Sequence, residues 1–559
     1  MEQQTSKILQ GPYLVILSIV LFFQFSNCNT LGQIMYMFFI DPVVTDCPTA
    51  YKLPSSELCD IDKLCSNHIR ININKNETLE NWSTMFNFYC PRTQTFKLIV
   101  TNLYFIASML FPALFSTLPD RYGRMKALNI LNFALLIAFV LTLFNNQYAL
   151  MVTMFLCGGL IMIYNIESQV ITEYYSSKGR GIITGIYMTA IPIFGIGFIG
   201  LFYYVKDIKW FWYFHVGSQA LSLLFMNIFY VESPLWLISV GRKKEAFEQL
   251  KKAAKFNNKL QLYEEFEQAN AGLLSEEDKN ICENENQNQN ETDKNTNSNT
   301  NSNKSKNEKK YTFIDSFRYP SIRKIIFMVT PLWLSTTLFD FTVFLNLEKS
   351  GSNVYMQSII TFIACLTSAI SAGSLCDCLG RKKTVIGSAI LAIVPYVLTP
   401  LFANDVTRGY KFYIETALIF LACVSIETTF TAIIIYGNES FPTSIRSTSY
   451  GCMYTFARIG AISAPNITYS LTYPQYVVCP LLFLTHVPFY FLKETKGLEL
   501  QEDIEEVRNK IAEDIETKIK KDMIPEEYKE EDQKDKDKEV LTNDKGKNDI
   551  EEGNVETKE

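Results

Sequence analysis

The sequence lacks the motifs of several large classes of protein. It has no G-x-x-x-x-G-K-[ST] phosphate loop, so we do not expect a pump driven by ATP. No CxxC pair is followed by a second pair at the spacing of a zinc site, and no run of Lys and Arg is interleaved with aromatic residues. The sequence therefore predicts no metal site, no nucleic-acid partner and no cofactor, and nothing in it indicates an enzyme.

The apolar residues are gathered into long runs, although the mean hydropathy is only +0.05. Two polar segments, about 256–312 and 494–559, lower that average. Each run approaches the roughly 20 residues of helix that cross the hydrocarbon of a bilayer. The runs lie at about 13–40, 97–117, 127–144, 149–171, 182–204 and 210–231, and then at about 324–347, 355–375, 384–403, 411–436, 448–472 and 474–492. We therefore expect an all-α membrane protein with twelve transmembrane helices in two six-helix bundles.

The first run has a rival interpretation as a secretory signal peptide, with Val15–Phe23 as its apolar core. Little positive charge precedes this run and no A-x-A-like cleavage site follows it, which favours a membrane helix.

A short charged motif occurs twice, each time between two apolar runs. Asp120–Lys126 and Asp377–Lys383 both read D-x-x-G-R-x-K. A second repeat places a Glu seven residues before an Arg, at Glu173 and Arg180 and again at Glu439 and Arg446. Such repeats are typical of transporters built from two related halves. We expect these charges to form a latch between the halves that is closed in one state and open in the other. The alternative is that they are ordinary charges at the membrane surface. The predicted latch consists of Asp120, Arg124, Glu173, Arg180, Asp377, Arg381, Glu439 and Arg446.

Lys and Arg in the short loops predict the orientation, because cytosolic loops are enriched in them. With twelve helices, most of these residues fall on the side that carries both D-x-x-G-R-x-K turns and both termini, which we expect to be cytosolic. The predicted domains are an N-terminal bundle over 1–231 that includes an external loop at 41–95, a partly disordered cytosolic linker over 232–322, a C-terminal bundle over 323–493 and a charged cytosolic tail over 494–559.

The loop at 41–95 has the features of a segment that faces an oxidising compartment. Four cysteines cluster in it, and their pairing is left open by the sequence. It also holds two glycosylation sequons. The disulfide candidates are Cys47, Cys59, Cys65 and Cys90, and the glycosylation candidates are Asn76 and Asn81.

The repeated turns resemble the signature of the major facilitator superfamily, although the usual leading Gly is Ser116 in the first copy and the usual second-position Arg is Cys378 in the second. Within that superfamily the chain most resembles the organic cation, organic anion and carnitine transporters over about residues 10–500. The motifs that carry this resemblance are Glu232–Ser239, Leu345–Leu347, Glu439–Arg446 and Glu494–Gly497, together with the long Cys-containing first loop. The resemblance implies the major facilitator fold.

Ionisable residues inside the membrane runs are candidates for substrate binding, because lipid penalises them. Arg458 lies where the family's anion and carnitine carriers often have Arg, and Asp340 where the family often has Tyr. A carboxylate and a guanidinium together suit a zwitterion such as a betaine; the alternative is that Arg458 pairs internally with Asp340 or Glu427. His215 is expected to be structural. The candidates are Arg458, Asp340, Glu427 and Glu167, with Tyr164, Trp333, Phe339 and Phe341 as a possible aromatic cage for a quaternary ammonium.

These features predict a secondary active or facilitative transporter of small organic ions that works by alternating access, with H+ or Na+ as a candidate coupling ion. It would lie in the plasma membrane or an endomembrane. Two alternatives stay open. One is a carrier of sugar or another small solute from the same superfamily, although the Gln-Gln pair usual in the seventh helix of sugar carriers is replaced here by Thr336–Thr337 and Asp340. The other is a membrane receptor or scaffold that does not transport.

Overall fold

The computed structural model describes residues 2–40, 42, 44, 64–65, 73–74, 77–88, 90–177, 179–271, 312–349, 354–402, 410–498 and 500. Twelve long helices dominate it, and we number them in chain order. The first six are α1 (Pro12–Ile34), α2 (Pro91–Phe115), α3 (Arg124–Leu141), α4 (Gln147–Tyr174), α5 (Arg180–Val205) and α6 (Lys209–Ile228). The second six are α7 (Pro320–Lys349), α8 (Val354–Leu379), α9 (Arg381–Leu398), α10 (Tyr410–Ser440), α11 (Arg446–Ser470) and α12 (Gln475–Phe489).

Shorter helices connect the long ones. They are Glu2–Leu9, Trp82–Met85, Leu118–Tyr122, Pro234–Ser239, Lys243–Phe256, Leu260–Ala269 and Asp315–Arg318, with 3-10 turns at Met35–Phe39, Thr399–Leu401 and Thr443–Ile445. The only strand-like pairing in the described residues is a single bridge between Glu80 and Asp207.

Nine helices within the described residues are long and apolar enough to cross a bilayer. The other three are α6, α11, which carries many polar side chains, and α12, which is a shorter apolar helix of 15 residues. The twelve apolar runs of the sequence therefore each become one long helix, as predicted.

The helices of each half pack against one another. The two halves meet along two helix pairs, α2 with α11 and α5 with α8. Small residues bring these pairs close. A Cβ on Gly181 of α5 would lie 2.9 Å from the carbonyl oxygen of Gly373 in α8. In the other pair Ser116, at the end of α2, faces Gly451 of α11. The first copy of the repeat therefore tolerates Ser116 where Gly is usual, because the facing residue on α11, Gly451, has no side chain.

The described part of the loop at 41–95 bears on two predictions. Cys65 and Cys90 form a disulfide. Asn81 is fully buried; its Nδ2 donates to the carbonyls of Met37 and Ile40 at 3.1 and 2.9 Å, and its side chain caps the helix Trp82–Met85. A glycan replaces one of the two hydrogens on that nitrogen and would break one of these bonds, and the buried side chain leaves no space for it, which argues against the prediction for Asn81. The remaining candidates, Cys47, Cys59 and Asn76, lie outside the described residues.

The first part of the linker folds against the start of the chain. Ala246, Leu250 and Ala253 are buried on one face of the helix Lys243–Phe256, the face that their spacing in the sequence indicates. The next residue, Asn257, donates to the carbonyls of Ile8 and Leu9, both at 2.9 Å, and accepts from the backbone N–H of Tyr13 at 3.0 Å. The linker therefore fixes the turn that leads into α1. The boundaries of the four predicted domains stay a prediction.

Candidate functional site

A cavity lies between the two halves, with walls from α1, α2, α4, α5, α7, α8, α10 and α11. It encloses about 900 Å³ of space, counting its open side. Of the eight residues that the sequence nominates for substrate binding, five line it: Tyr164, Asp340, Phe341, Glu427 and Arg458.

Arg458 is the cation of this cavity. Its guanidinium carbon lies 4.2 Å from the centre of the Tyr454 ring, which is a cation–π arrangement. No carboxylate of the described residues lies within 4.0 Å of this guanidinium, so the internal ion pair that we kept as an alternative does not form in this conformation. The guanidinium packs on the face of an aromatic ring, and its N–H donors are left available to the cavity.

Two carboxylates share the cavity with Arg458. The Oδ1 atom of Asp340 is buried and has no hydrogen-bond partner among the described residues. Among the described residues, Glu427 accepts a single weak hydrogen bond, from the thiol of Cys365 at 3.5 Å. Asp340 interacts electrostatically with both Glu427 and Arg458. Opposite charges therefore face one space without being paired to each other, which is costly unless a ligand or water completes them.

The aromatic candidates separate into lining and supporting residues. Phe341 meets Phe105 of the other half at 5.7 Å between ring centres. Trp333 does not line the cavity: it is fully buried behind Tyr454, at 5.7 Å between rings. Phe339 points into the core of the C-terminal half against Tyr396. Trp333 and Phe339 therefore do not line the cavity in this conformation, because the rotation of α7 places Asp340 and Phe341 on the wall instead, and their contact with substrate stays a prediction.

Glu167 is also absent from the cavity wall. It is fully buried in α4, its Oε2 accepts from the hydroxyl of Tyr187, and its Oε1 has no partner among the described residues. Tyr187 packs on Phe25, a residue of the wall, at 4.3 Å between ring centres. The carboxyl therefore lies one side-chain layer behind the cavity in this conformation, and its contact with substrate stays a prediction.

At one end of the bundle the repeated motifs meet across the halves. Asp120 accepts from the backbone N–H groups of Ser447 and Thr448 at 3.2 and 2.7 Å, at the start of α11. Asp377 accepts from those of Gly181 and Ile182 at 3.2 and 3.0 Å, at the start of α5. A helix N-terminus carries partial positive charge and free N–H groups, so each carboxylate stabilises a helix of the opposite half.

Buried ion pairs join the same end. Glu173 accepts from Arg124 at 3.2 Å and from Arg446 of the other half at 2.7 Å. Arg124 also reaches Asp120 at 2.5 Å and the carbonyl of Thr443 across the interface at 2.6 Å. We call this end, with the turns Asp120–Lys126 and Asp377–Lys383, the basic rim.

The second copy of the ion-pair cluster repeats the first. Glu439 accepts from Arg381 at 2.8 Å and from Arg180 of the other half at 3.4 Å, and Arg381 lies 3.1 Å from Asp377. All eight predicted latch residues are thus brought together at the basic rim, and their role in gating stays a prediction.

A family comparison fits this architecture. The model of the Major Facilitator Superfamily matches residues 92–465 and, in an overlapping match, 323–524. The chain belongs to the Major Facilitator Superfamily.

This major facilitator protein is similar to several carriers. Solute carrier family 22 member 6 of Pseudopleuronectes americanus is 25% identical over 74% of this chain and 69% of its own length. Organic cation transporter 1 of Caenorhabditis elegans is 23% identical over 77% of this chain and 69% of its own. Organic cation/carnitine transporter 2 of Rattus norvegicus is 25% identical over 73% and 68%.

A solved structure shares the fold. The proton:xylose symporter XylE, bound to a bromo-deoxyglucose, aligns with a TM-score of 0.52 and 15% identity, covering 90% of this chain and 98% of its own. The expected fold of two six-helix bundles is therefore confirmed.

Sequence reasoning missed two residues that complete the rim of this major facilitator protein. Glu232 accepts from the backbone N–H of Met125, at the start of α3, at 3.0 Å. Glu494 accepts from that of Arg381, at the start of α9, at 2.9 Å. Both Glu residues stand in motifs that carry the family resemblance. Each motif opens with Glu directly after the sixth helix of its half, and this repeated position is the sequence signal that could have identified the two residues.

The cavity also contains unpredicted residues. Tyr104 of α2 lines it with a buried hydroxyl that has no partner in the described part of the chain, and Phe430 of α10 adds an aromatic wall. Neither residue carries charge, and nothing in its neighbouring sequence distinguishes it from lipid-facing aromatics.

Proposed function

We propose that this protein carries small organic ions across a membrane by alternating access, with the cavity between the halves as the substrate site. The observation that carries the proposal is the set of unpaired opposite charges that line that cavity, which are Arg458, Asp340 and Glu427. The names of the relatives, organic cation and organic cation/carnitine transporters among them, support the same substrate class.

The favoured substrate is a zwitterion such as a carnitine or a betaine. Its carboxylate would accept from the N–H donors of Arg458, which no internal carboxylate occupies. Its quaternary ammonium would face Asp340 and the rings of Tyr104, Phe430 and Tyr164. A simple cation would leave the positive charge of Arg458 without a partner, and a simple anion would leave the negative charge of Asp340 without one. Each would therefore bind more weakly than a zwitterion.

The basic rim would act as the latch of the transport cycle. In this conformation its cross-half contacts are formed, which would close the cavity toward that end. Because positively charged loops lie at this end, it would be cytosolic, and both termini would lie on the same side. The structure would then correspond to a state closed to the cytosol. The membrane would be the plasma membrane or an endomembrane.

Of the two candidate coupling ions, H+ is favoured over Na+ by Glu167. The titratable groups that face this carboxyl are Tyr187 from α5 and Cys28 from α1. The cations that α3 and α11 bring to α4, Arg124 and Arg446, pair with Glu173 instead. A fully buried carboxylate without a counter-ion is strongly disfavoured, so Glu167 would carry a proton here and release it when the halves rearrange.

The test is uptake into liposomes that contain only the purified chain. We expect saturable uptake of labelled carnitine or betaine that exceeds uptake of a matched organic cation or organic anion. Uptake of none of the three by correctly folded protein would overturn the proposal. Uptake that hexoses abolish would instead support the sugar-carrier alternative, which the missing Gln-Gln pair and the relatives' names make the weaker one.

A further inference from the structure

Tyr454 supports the guanidinium of Arg458 from behind the wall of the cavity. Both residues belong to α11 and lie four positions apart, and a long side chain on a helix points back over the turn that precedes it. The guanidinium of Arg458 therefore lies on the ring of Tyr454, 4.2 Å from its centre. Tyr454 is only 1% exposed, so it would act on a substrate through Arg458 and not by touching the substrate itself.

Aromatic neighbours from both halves fix the ring of Tyr454. The ring of Tyr164, from α4, meets it edge-on at 5.6 Å between centres, and that of Trp333, from α7, does so at 5.7 Å. Two such edge contacts hold the plane of a ring, and this plane sets the plane of the guanidinium stacked on it. The hydroxyl of Tyr454 is buried without a partner in the described part of the chain, so the ring is the part of this side chain that the site uses.

Asp340 lies where it would compete for the same guanidinium. Helices α7 and α11 approach closely at this level, since a Cβ added to Gly460 would lie 3.0 Å from the backbone nitrogen of Leu338. Gly460 follows Arg458 by two residues, and Leu338 precedes Asp340 by two. The guanidinium and the carboxylate line one cavity, yet no ion pair within 4.0 Å joins them. Opposite charges attract strongly in a site of low dielectric, so an opposing contact is needed to keep them apart.

We propose that Tyr454 is a positioning residue that holds Arg458 apart from Asp340 and so keeps both charges open to substrate, which rests on the function proposed above. Without the ring, the guanidinium would swing to Asp340, and each charge would neutralise the other. The site would then lose its affinity for the carboxylate and for the ammonium of a zwitterion together.

The experiment is initial uptake into liposomes of labelled carnitine, choline and propanesulfonate, which are a zwitterion, a cation and an anion. Tyr454→Leu should raise the KM for carnitine about 5- to 30-fold, the range of a partly to fully desolvated cation–π contact, and weaken uptake of the other two. Tyr454→Phe should match the parent chain, because it keeps the ring and removes only the hydroxyl.

Second substitutions separate this role from a merely structural one. In the Tyr454→Leu background, Asp340→Asn should recover at least half of the lost propanesulfonate uptake, because it frees Arg458. In the same background, Arg458→Ala should recover choline uptake, because it frees Asp340. A general packing defect would be repaired by neither substitution, so this crossed recovery is the signature of an internal ion pair.

The matched control is Tyr450→Leu. Tyr450 lies one turn earlier in α11, is fully buried, and contacts the same Trp333 at 5.1 Å between ring centres. Its loss opens a comparable void but leaves the ring beneath Arg458 in place, so the KM for carnitine should not change.

The outcomes separate this role of Tyr454 from the proposed function. If the folded parent chain takes up none of the three compounds, the proposed function fails and the role of Tyr454 fails with it. If the parent takes up carnitine, three results would overturn the role of Tyr454 alone: an unchanged KM in Tyr454→Leu, an equal rise in Tyr450→Leu, or no recovery by either second substitution. If Tyr454→Leu does not fold, Tyr454→Met, which fills more of the same space without a ring, decides.

Discussion

At the scale of single residues, the substrate cavity is defined by Arg458 and the carboxylates that face it. Arg458→Ala removes the only cation that lines the described cavity, and we expect uptake of a zwitterion or anion to fall about 10- to 100-fold, the range of one or two charge-assisted hydrogen bonds. Asp340→Asn should instead weaken cation and zwitterion uptake while sparing anions. The measurement is initial uptake in liposomes for each substrate class.

The control for Arg458 is Arg242→Ala, since Arg242 pairs with Glu245 at the surface at 2.6 Å, away from the cavity. Its uptake should match that of the parent chain. If Arg458→Ala lowers the amount of folded protein in proportion to activity, Arg458 is structural and the substrate assignment is wrong.

A second residue-scale prediction concerns Glu167. Glu167→Gln keeps an acceptor for Tyr187 and the same volume but cannot release a proton. We expect the parent chain to take up substrate faster when the liposome exterior is acidified, and the variant to lose that acceleration while it still exchanges labelled for unlabelled substrate at equal pH. The surface variant Glu245→Gln should behave like the parent. Acceleration that persists in Glu167→Gln would exclude this carboxyl as the proton site.

The sequence could predict that charged residues inside the membrane are functional candidates, but not which of them line the same cavity. Asp340 and Phe341 line the cavity, whereas Phe339, their neighbour in α7, packs into the core. A helix turns about 100° per residue, so contact with the cavity depends on how α7 is rotated in the bundle, and that is set by tertiary packing. The repeated rim charges were predictable because two matching copies constrain each other.

At the scale of elements, two glycines shape the turns into α3 and α9. Gly123 and Gly380 have φ angles of +107° and +102°, with extended ψ, in a region open essentially to Gly alone. A Cβ on Gly380 would also lie 2.7 Å from Oε2 of Glu494, and one on Gly123 would collide with Glu232. The absence of a side chain therefore lets each Glu reach the N-terminus of its helix.

We expect Gly123→Ala and Gly380→Ala each to destabilise the protein by about 1–3 kcal/mol through backbone strain. The measurement is the midpoint of thermal unfolding in detergent. Gly200→Ala is the control: Gly200 lies in α5 with an ordinary φ and no atom within 4 Å of an added Cβ, so its midpoint should not fall. An unchanged midpoint for both turn variants would show that the turns relax without cost.

At the scale of the whole molecule, transport requires the helix bundle and not the tail. Every described residue belongs to one compact unit, which ends at Glu502. We expect a chain truncated after Glu502 to keep most of its uptake, because every residue of the cavity and rim lies in that unit. Loss of uptake with intact folding would favour the receptor or scaffold alternative. The full-length chain, purified in parallel, is the reference.

The two halves of the latch should open together if the bundles move as rigid bodies. Asp120 holds the N–H groups of Ser447 and Thr448, and Asp377 holds those of Gly181 and Ile182, at separate places on the basic rim. We expect Asp120→Asn to accelerate amide hydrogen exchange at the start of α11 and also at the start of α5, although Asp377 is unchanged. Hydrogen-exchange mass spectrometry of the purified chain measures both peptides at once.

Asp377→Asn is the reciprocal variant. The control is Asp207→Asn, on a loop at the other end of the bundle, which should change the exchange of neither peptide. If each rim variant accelerated only the amides that its own carboxylate holds, the rim would consist of two independent caps, and the latch would have to be abandoned.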